Sequence, residues 1–187
     1  MAESSVQITK EHIQALRAGD QDVLHFIFIT LQPRIYRFLY FKLNSVEVAE
    51  DLVQETFLRL WEARTRLKTD TNLETYIFRI ATNLATDQLR RMERNMEVQT
   101  EKEFAAPGLD SGGDAEIAQL QRIINKIVLS LPDGSRTAFV LSRQENLSHK
   151  QIAEIMGVSV KTVEKHIGRA LQILKERLEK FDIVLPS

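Results

Sequence analysis

Apolar residues recur at intervals of three and four along most of the chain, and alternation at period two never persists, so the pattern predicts helices and no strand. Between Thr9 and Leu43 the repeats are Ile13 and Leu16, then Leu24, Ile27, Phe28 and Leu31, then Ile35, Phe38 and Leu39. Gly19-Asp20 separates a first helix from a second, and Pro33 fits as an early helix residue or a local kink. The next helix, about Val46 to Arg64, holds the segment AEDLVQETFLRLW at Ala49–Trp61. Ala49, Leu52, Val53, Thr56, Phe57 and Leu60 form its apolar stripe, with Trp61 at the edge. Its other side collects Glu47, Glu50, Asp51, Gln54, Glu55 and Glu62, with Leu58 in their midst and no Lys or Arg among them. A solvated helix face usually mixes signs, because opposite charges four residues apart support the helix. A one-signed face with a leucine in it reads as a docking surface for a basic partner.

Thr65–Asn72 reads as a polar loop, and a long helix follows from Leu73 to Arg94, with Thr71 as N-cap and Glu74 completing a capping box. One broad side of this helix carries Leu73, Ile77, Phe78, Ile80, Ala81, Leu84, Ala85, Leu89 and Met92. The other gathers Tyr76, Arg79, Asn83, Thr86, Asp87, Arg90 and Arg94, with Arg91 nearby. Arginines, an amide and an aromatic ring on one face suit phosphate contact, base-edge hydrogen bonding and base stacking. The same residues also fit a solvated helix end, where cations suit the dipole.

From Asn95 to Ala115 the apolar period is lost; Pro107, Gly108, Gly112 and Gly113 fall here, and Glu101–Glu116 holds five acidic residues against Lys102. This stretch is expected to be a flexible acidic linker between two domains. Beyond it, a helix near Glu116–Ser130 and another from Pro132-Asp133, with Ala138, Phe139 and Leu141 inward, lead into LSHKQIAEIMGVSVKTVEKHIGRAL. Ser148 and Gln151 form a capping box for a short helix, Gly157 makes the turn, and Ser159 caps a longer helix with the stripe Val160, Val163, Ile167, Ala170, Leu171, Leu174 and Leu178. Short helix, glycine turn and longer helix make a helix-turn-helix. The outward face of the second helix holds Lys161, Thr162, Lys165, Arg169 and Gln172, with His166 at its flank near phosphate or solvent, as suits a helix end in a DNA major groove.

Composition narrows the class without choosing the function. At 187 residues, 43% hydrophobic and 27% charged, the chain is a globular protein of one ordinary domain or two small ones. No run approaches a membrane helix, and MAESSVQITKEH lacks the apolar core of a signal peptide. The absence of cysteine excludes disulfides and thiolate metal sites and fits a reducing cytoplasm. His12, His25, His149 and His166 are scattered, with no Ser-His-Asp set, phosphate-cradling loop or metal cluster, so neither an enzyme nor a cofactor is expected.

Together the blocks resemble the extracytoplasmic-function (ECF) class of bacterial RNA polymerase sigma factors: AEDLVQETFLRLW is similar to the family's region 2.2, NLETYIFRIATNLATDQLRR to regions 2.3 and 2.4, and LSHKQIAEIMGVSVKTVEKHIGRAL to region 4.2. The resemblance covers about Asp20–Arg94 and Glu116–Leu178. It implies an all-α protein of two small domains: 1–94 as region 2, 95–115 as linker and 116–187 as region 4, with no further module after Leu178. It implies docking of Asp51, Gln54, Glu55 and Leu58 on the clamp helices of the polymerase β′ subunit, and a region 4 contact with the β flap. Opening of the −10 element falls to Lys68 and Asn72, in the base-capturing loop Leu67–Asn72, and to Tyr76, Arg79, Asn83, Arg90 and Arg91. Tyr76 stands where tryptophan is common, which puts its role as a wedge in question; Asp87 is read as orienting arginines, since a carboxylate repels phosphate. Reading of the −35 element falls to Ser159, Lys161, Thr162, Lys165, His166 and Arg169. The implied partners are core polymerase, promoter DNA and an anti-sigma factor, which can hold such a protein at the inner membrane; the protein itself is expected in the cytoplasm, without membrane insertion. The alternative is a LuxR-type transcription activator, because VSVKTVEKHIGRAL also fits that pattern.

Overall fold

The computed structural model describes residues 8–95 and 115–179, all of whose regular structure is helical. The helices are α1 (Lys10–Ala18), α2 (Gln21–Leu43), α3 (Val46–Ala63), α4 (Leu73–Asn95), α5 (Ala115–Leu129), α6 (Asp133–Arg143), α7 (His149–Met156) and α8 (Val160–Glu179), with a 3-10 turn at Arg64–Arg66. The linker expected over Asn95–Ala115 falls on 96–114, outside the described residues.

Local chemistry sets most helix ends. Gly19 takes a left-handed φ of 91° to close α1, and the Asp20 carboxylate accepts hydrogen bonds from the Asp22 and Val23 amides to start α2. Ser45 caps α3. The expected cap of α4 is corrected by one residue. Asn72, rather than Thr71, accepts from the Thr75 amide at 3.0 Å, and Glu74 completes no box but turns to Arg34 on α2. Pro33 lies in the middle of α2 rather than near its start. The loop before α4 is less polar than expected, because Leu67 follows the 3-10 turn into the core at 5% exposure.

Helices α2, α3 and α4 pack on one another around Ile35, Phe38, Leu39, Val53, Leu60, Ile77 and Phe78, with α1 closing one end. Phe38 meets Phe78 edge-on at 5.7 Å, and Phe28 meets Phe57 at 4.8 Å. In the second group α8 packs against α5, α6 and α7 through Ile127, Leu141, Ile152, Val163, Ile167 and Leu174. Val160 and Leu171, assigned to the buried stripe of α8, are each 41% exposed. The helix has more apolar positions than its neighbours can cover.

The two groups also lie against each other: α7 runs along α4, and α6 along α2. The C-terminal end of α2 is closed by a residue of the other group, since Arg136 on α6 donates to the carbonyls of Phe41 and Lys42 at 3.4 and 3.2 Å. Those carbonyls belong to the last turn, which has no partners within its own helix. Burial lowers the pKa of Arg136, against the opposing pull of Asp133.

Candidate docking and nucleic-acid surfaces

The acidic side of α3 is accessible. Asp51 and Gln54 are exposed, Glu55 is half-buried, and Leu58 is 52% exposed. This face is less purely acidic than the pattern predicted, because Arg59 reaches back one turn to Glu55 at 2.7 Å. The pair is a surface one and contributes at most about 1 kcal/mol, so Glu55 stays available to a competing cation. Beside Leu58 the structure opens a groove between α2 and α3, lined by Leu24, His25, Phe28, Phe57 and Trp61. Periodicity alone could not show it, since Leu24 and Phe28 count there as ordinary core positions.

On α4, Asn83, Arg90 and Arg91 are exposed, whereas Tyr76 and Arg79 are half-buried. The Arg79 guanidinium lies 5.2 Å from the centre of the Tyr76 ring, which orders both side chains by cation–π attraction. Arg90 sits 3.6 Å from Asp87, the orienting role expected of that carboxylate. Lys68 is exposed, and the carbonyl of Lys68 accepts from the Thr71 amide to make a turn just ahead of α4. Asn72 is exposed but spends its side-chain oxygen on the helix cap.

The helix-turn-helix forms as its caps predict. The Ser148 hydroxyl and the Gln151 side chain complete the box at α7, Gly157 turns the chain at φ 66°, and the Ser159 hydroxyl accepts from the Thr162 amide at 3.1 Å. Lys161, Lys165 and Arg169 are exposed on one side of α8, with Thr162 half-buried between them. The expectation for His166 needs correction: its ring packs against Gly134, where a Cβ would come within 2.7 Å of His166 Cε1. His166 is therefore half-buried between α8 and α6 rather than free beside phosphate or in solvent.

A further cluster went unseen in the sequence. Glu145, just past α6, is 3% exposed and receives Arg34 Nε and Arg37 Nε from α2, each at 2.9 Å. Arg34 also donates to the Glu145 backbone carbonyl at 2.8 Å and pairs with Glu74. Burial pulls the Arg34 pKa down, but the charges of Glu74 and Glu145 outweigh it and raise it overall. Lys42, 3% exposed, donates to Asp133 at 2.7 Å and Thr137 at 3.1 Å. Gln151 donates to Thr75 on α4 at 3.4 Å. In sequence these residues look like scattered surface charges; only the approach of the two groups pairs them.

Among the described residues, no helix is long and apolar enough to cross a membrane, and no three His, Asp or Glu side chains are grouped to hold a metal ion.

Comparison with known proteins matches the same two groups. The Sigma-70 region 2 family matches residues 27–95, and the Sigma-70 region 4 family matches residues 121–174. The ECF RNA polymerase sigma factor SigW of Bacillus subtilis is 30% identical over 179 residues, covering 90% of this chain and 96% of the relative. The sigma factor RpoE of Bartonella quintana, solved with the anti-sigma factor NepR, superposes with a TM-score of 0.71 at 23% identity, covering 83% of this chain and 96% of the other. CnrH, solved with the cytosolic domain of CnrY, gives 0.69 at 23% identity, covering 91% and 97%. The region 2 match over the N-terminal half disfavours the LuxR-type alternative, which rested on the helix-turn-helix alone. The chain belongs to the extracytoplasmic-function family of RNA polymerase sigma factors.

Proposed function

We propose that this sigma factor is held on core RNA polymerase by the acidic side of α3 and reaches promoter DNA with the cationic sides of α4 and α8. As a member of its family, the chain is an alternative sigma factor that directs promoter-specific transcription initiation. The reading of individual residues goes further. Asp51, Gln54, Glu55 and Leu58 meet the β′ clamp helices, while the 116–187 domain sits by the β flap. Lys68, Asn72, Tyr76, Arg79, Asn83, Arg90 and Arg91 act at the −10 element, and Ser159, Lys161, Thr162, Lys165, His166 and Arg169 at the −35 element. Asn72 and Ser159 serve there through whatever hydrogen-bonding capacity their capping roles leave free. His166 contributes by seating α8 against α6.

The observation that carries this reading is the exposed, one-signed face around Leu58 on α3, in the same chain as exposed cations on α4 and α8. A basic helix pair on polymerase would satisfy both the carboxylates and the leucine. Neither DNA face needs to bind strongly by itself, because a few phosphate contacts give weak, salt-sensitive affinity. Polymerase then raises the effective concentration of both domains at the promoter. A −10 base is captured after it leaves the stack, which costs a few kcal/mol before the protein contributes. The protein works by binding rather than catalysis, in the cytoplasm, with an anti-sigma factor as the natural inhibitor.

The test is reconstitution with core polymerase and run-off transcription on genomic fragments. Asp51→Lys with Glu55→Lys should abolish holoenzyme formation at unchanged helicity; undiminished core binding would refute the assignment of the α3 face.

A further inference from the structure

We propose that the free chain is latched by Glu145, which locks the region 4 helices onto region 2, and that this latch must open before both promoter elements can be engaged. The argument starts from reach, and rests on the proposed reading that α4 and α8 face two separate elements. Elements centred about 10 and 35 base pairs upstream of the start site lie about 25 base pairs apart, or about 85 Å at 3.4 Å per base pair. A compact chain of this length has a radius of gyration of about 16 Å, and so a diameter near 40 Å. Helix α7 packs on both α4 and α8, so the latched arrangement holds the two DNA faces within one such body. It cannot span the two elements.

What holds the latch is chemically specific. Glu145 is carried by the turn after α6, where Asn146 adopts a left-handed φ of 54° and the Leu147 amide donates to the Leu141 carbonyl. That turn aims the carboxylate inward, where its two oxygens are shared between Arg34 and Arg37, and its side chain is fully buried. Lys42 with Asp133, and Arg136 on the end of α2, add a second point of attachment. A buried ion cluster of this kind is close to balanced, because opening returns every member to water. Removing one member alone is different, since the partners then remain buried without a counter-charge. The contact is therefore suited to a switch: well defined when shut, yet openable by a partner that binds the open form better. Asp51, Gln54 and Leu58 stay exposed in the latched form, so polymerase can dock first and release region 4 afterwards.

The test needs no promoter, which separates its failure from failure of the proposed surfaces. The chain has no cysteine, so Gln14→Cys and Lys175→Cys, at exposed positions on α1 and α8, give a specific pair for fluorescence energy transfer. The free, full-length protein should show high transfer and a scattering radius near that of a compact body. Glu145→Gln should raise the open population on the order of tenfold and lower the transfer, with helicity unchanged. Should that variant misfold, Arg37→Gln, on a side chain 36% exposed, removes the same ion pair from the solvent side. Low transfer in the unsubstituted pair, or no change in the folded variants, would overturn the latch. In the complex co-eluting with core polymerase and a fragment bearing both elements, transfer should also fall; persistent high transfer there would overturn the required opening.

Discussion

At Gly157 the backbone takes a φ of 66°, a region that costs a residue with a Cβ about 1–2 kcal/mol. Gly157→Ala should therefore lower stability by about that amount, read as a drop in melting temperature with both helix caps still in place. This position was legible in advance, because a glycine between two capped helices has a local explanation. Gly134 was not. Its conformation is ordinary, and its need for hydrogen in place of a methyl comes from His166, 32 residues away on α8. Overpacking costs about 1–3 kcal/mol, whereas glycine to alanine in a helix gains up to about 1 kcal/mol. Gly134→Ala should then destabilise the protein alone but cease to do so in a His166→Ala background, a sign that thermal denaturation of the four proteins can resolve.

Helices were the most legible level. The period of three and four, with Ser148-Gln151, Gly157 and Ser159, placed the helix-turn-helix because caps and turns depend on atoms a few residues apart. Errors arose where two local solutions competed. Thr71 and Asn72 can each cap α4, and Asn72 does so because Glu74 is drawn off to Arg34. On α8 the stripe was drawn too wide: Val160 and Leu171 have the right character but no helix over them. The exposed cations of α8 yield a prediction at this scale. Replacing Lys161, Lys165 and Arg169 with alanine removes three candidate phosphate contacts, and each is worth a slope of about 0.9 in log affinity against log salt. DNA binding by the holoenzyme at a promoter requiring the −35 element should weaken and lose about that much salt dependence per contact. Polymerase binding, read by co-elution, should be unchanged.

For the whole molecule, reach is the governing quantity. An extended chain spans at most about 3.3–3.6 Å per residue, so deleting about ten residues from 96–114 removes up to about 35 Å of reach. Such a deletion should cut initiation at promoters that need both elements while sparing core binding and, in the free chain, the latched arrangement. Run-off transcription and energy transfer measured on the same variant would separate these effects.

The sequence by itself determined that the chain is helical, where its helices begin and end to within a residue or two, and which faces carry one-signed charge. Those properties follow from neighbours three or four positions apart, which any reader of the chain can see. It also carried the family, because two motif blocks in the right order are specific where either alone is ambiguous. Only the tertiary structure decided that Glu145 is buried between Arg34 and Arg37, that Arg136 closes α2, and that Leu58 borders an apolar groove. In each case the partner lies on another helix, often about a hundred residues away. A charged residue on a short turn carries no local mark of whether water or an opposite charge will solvate it.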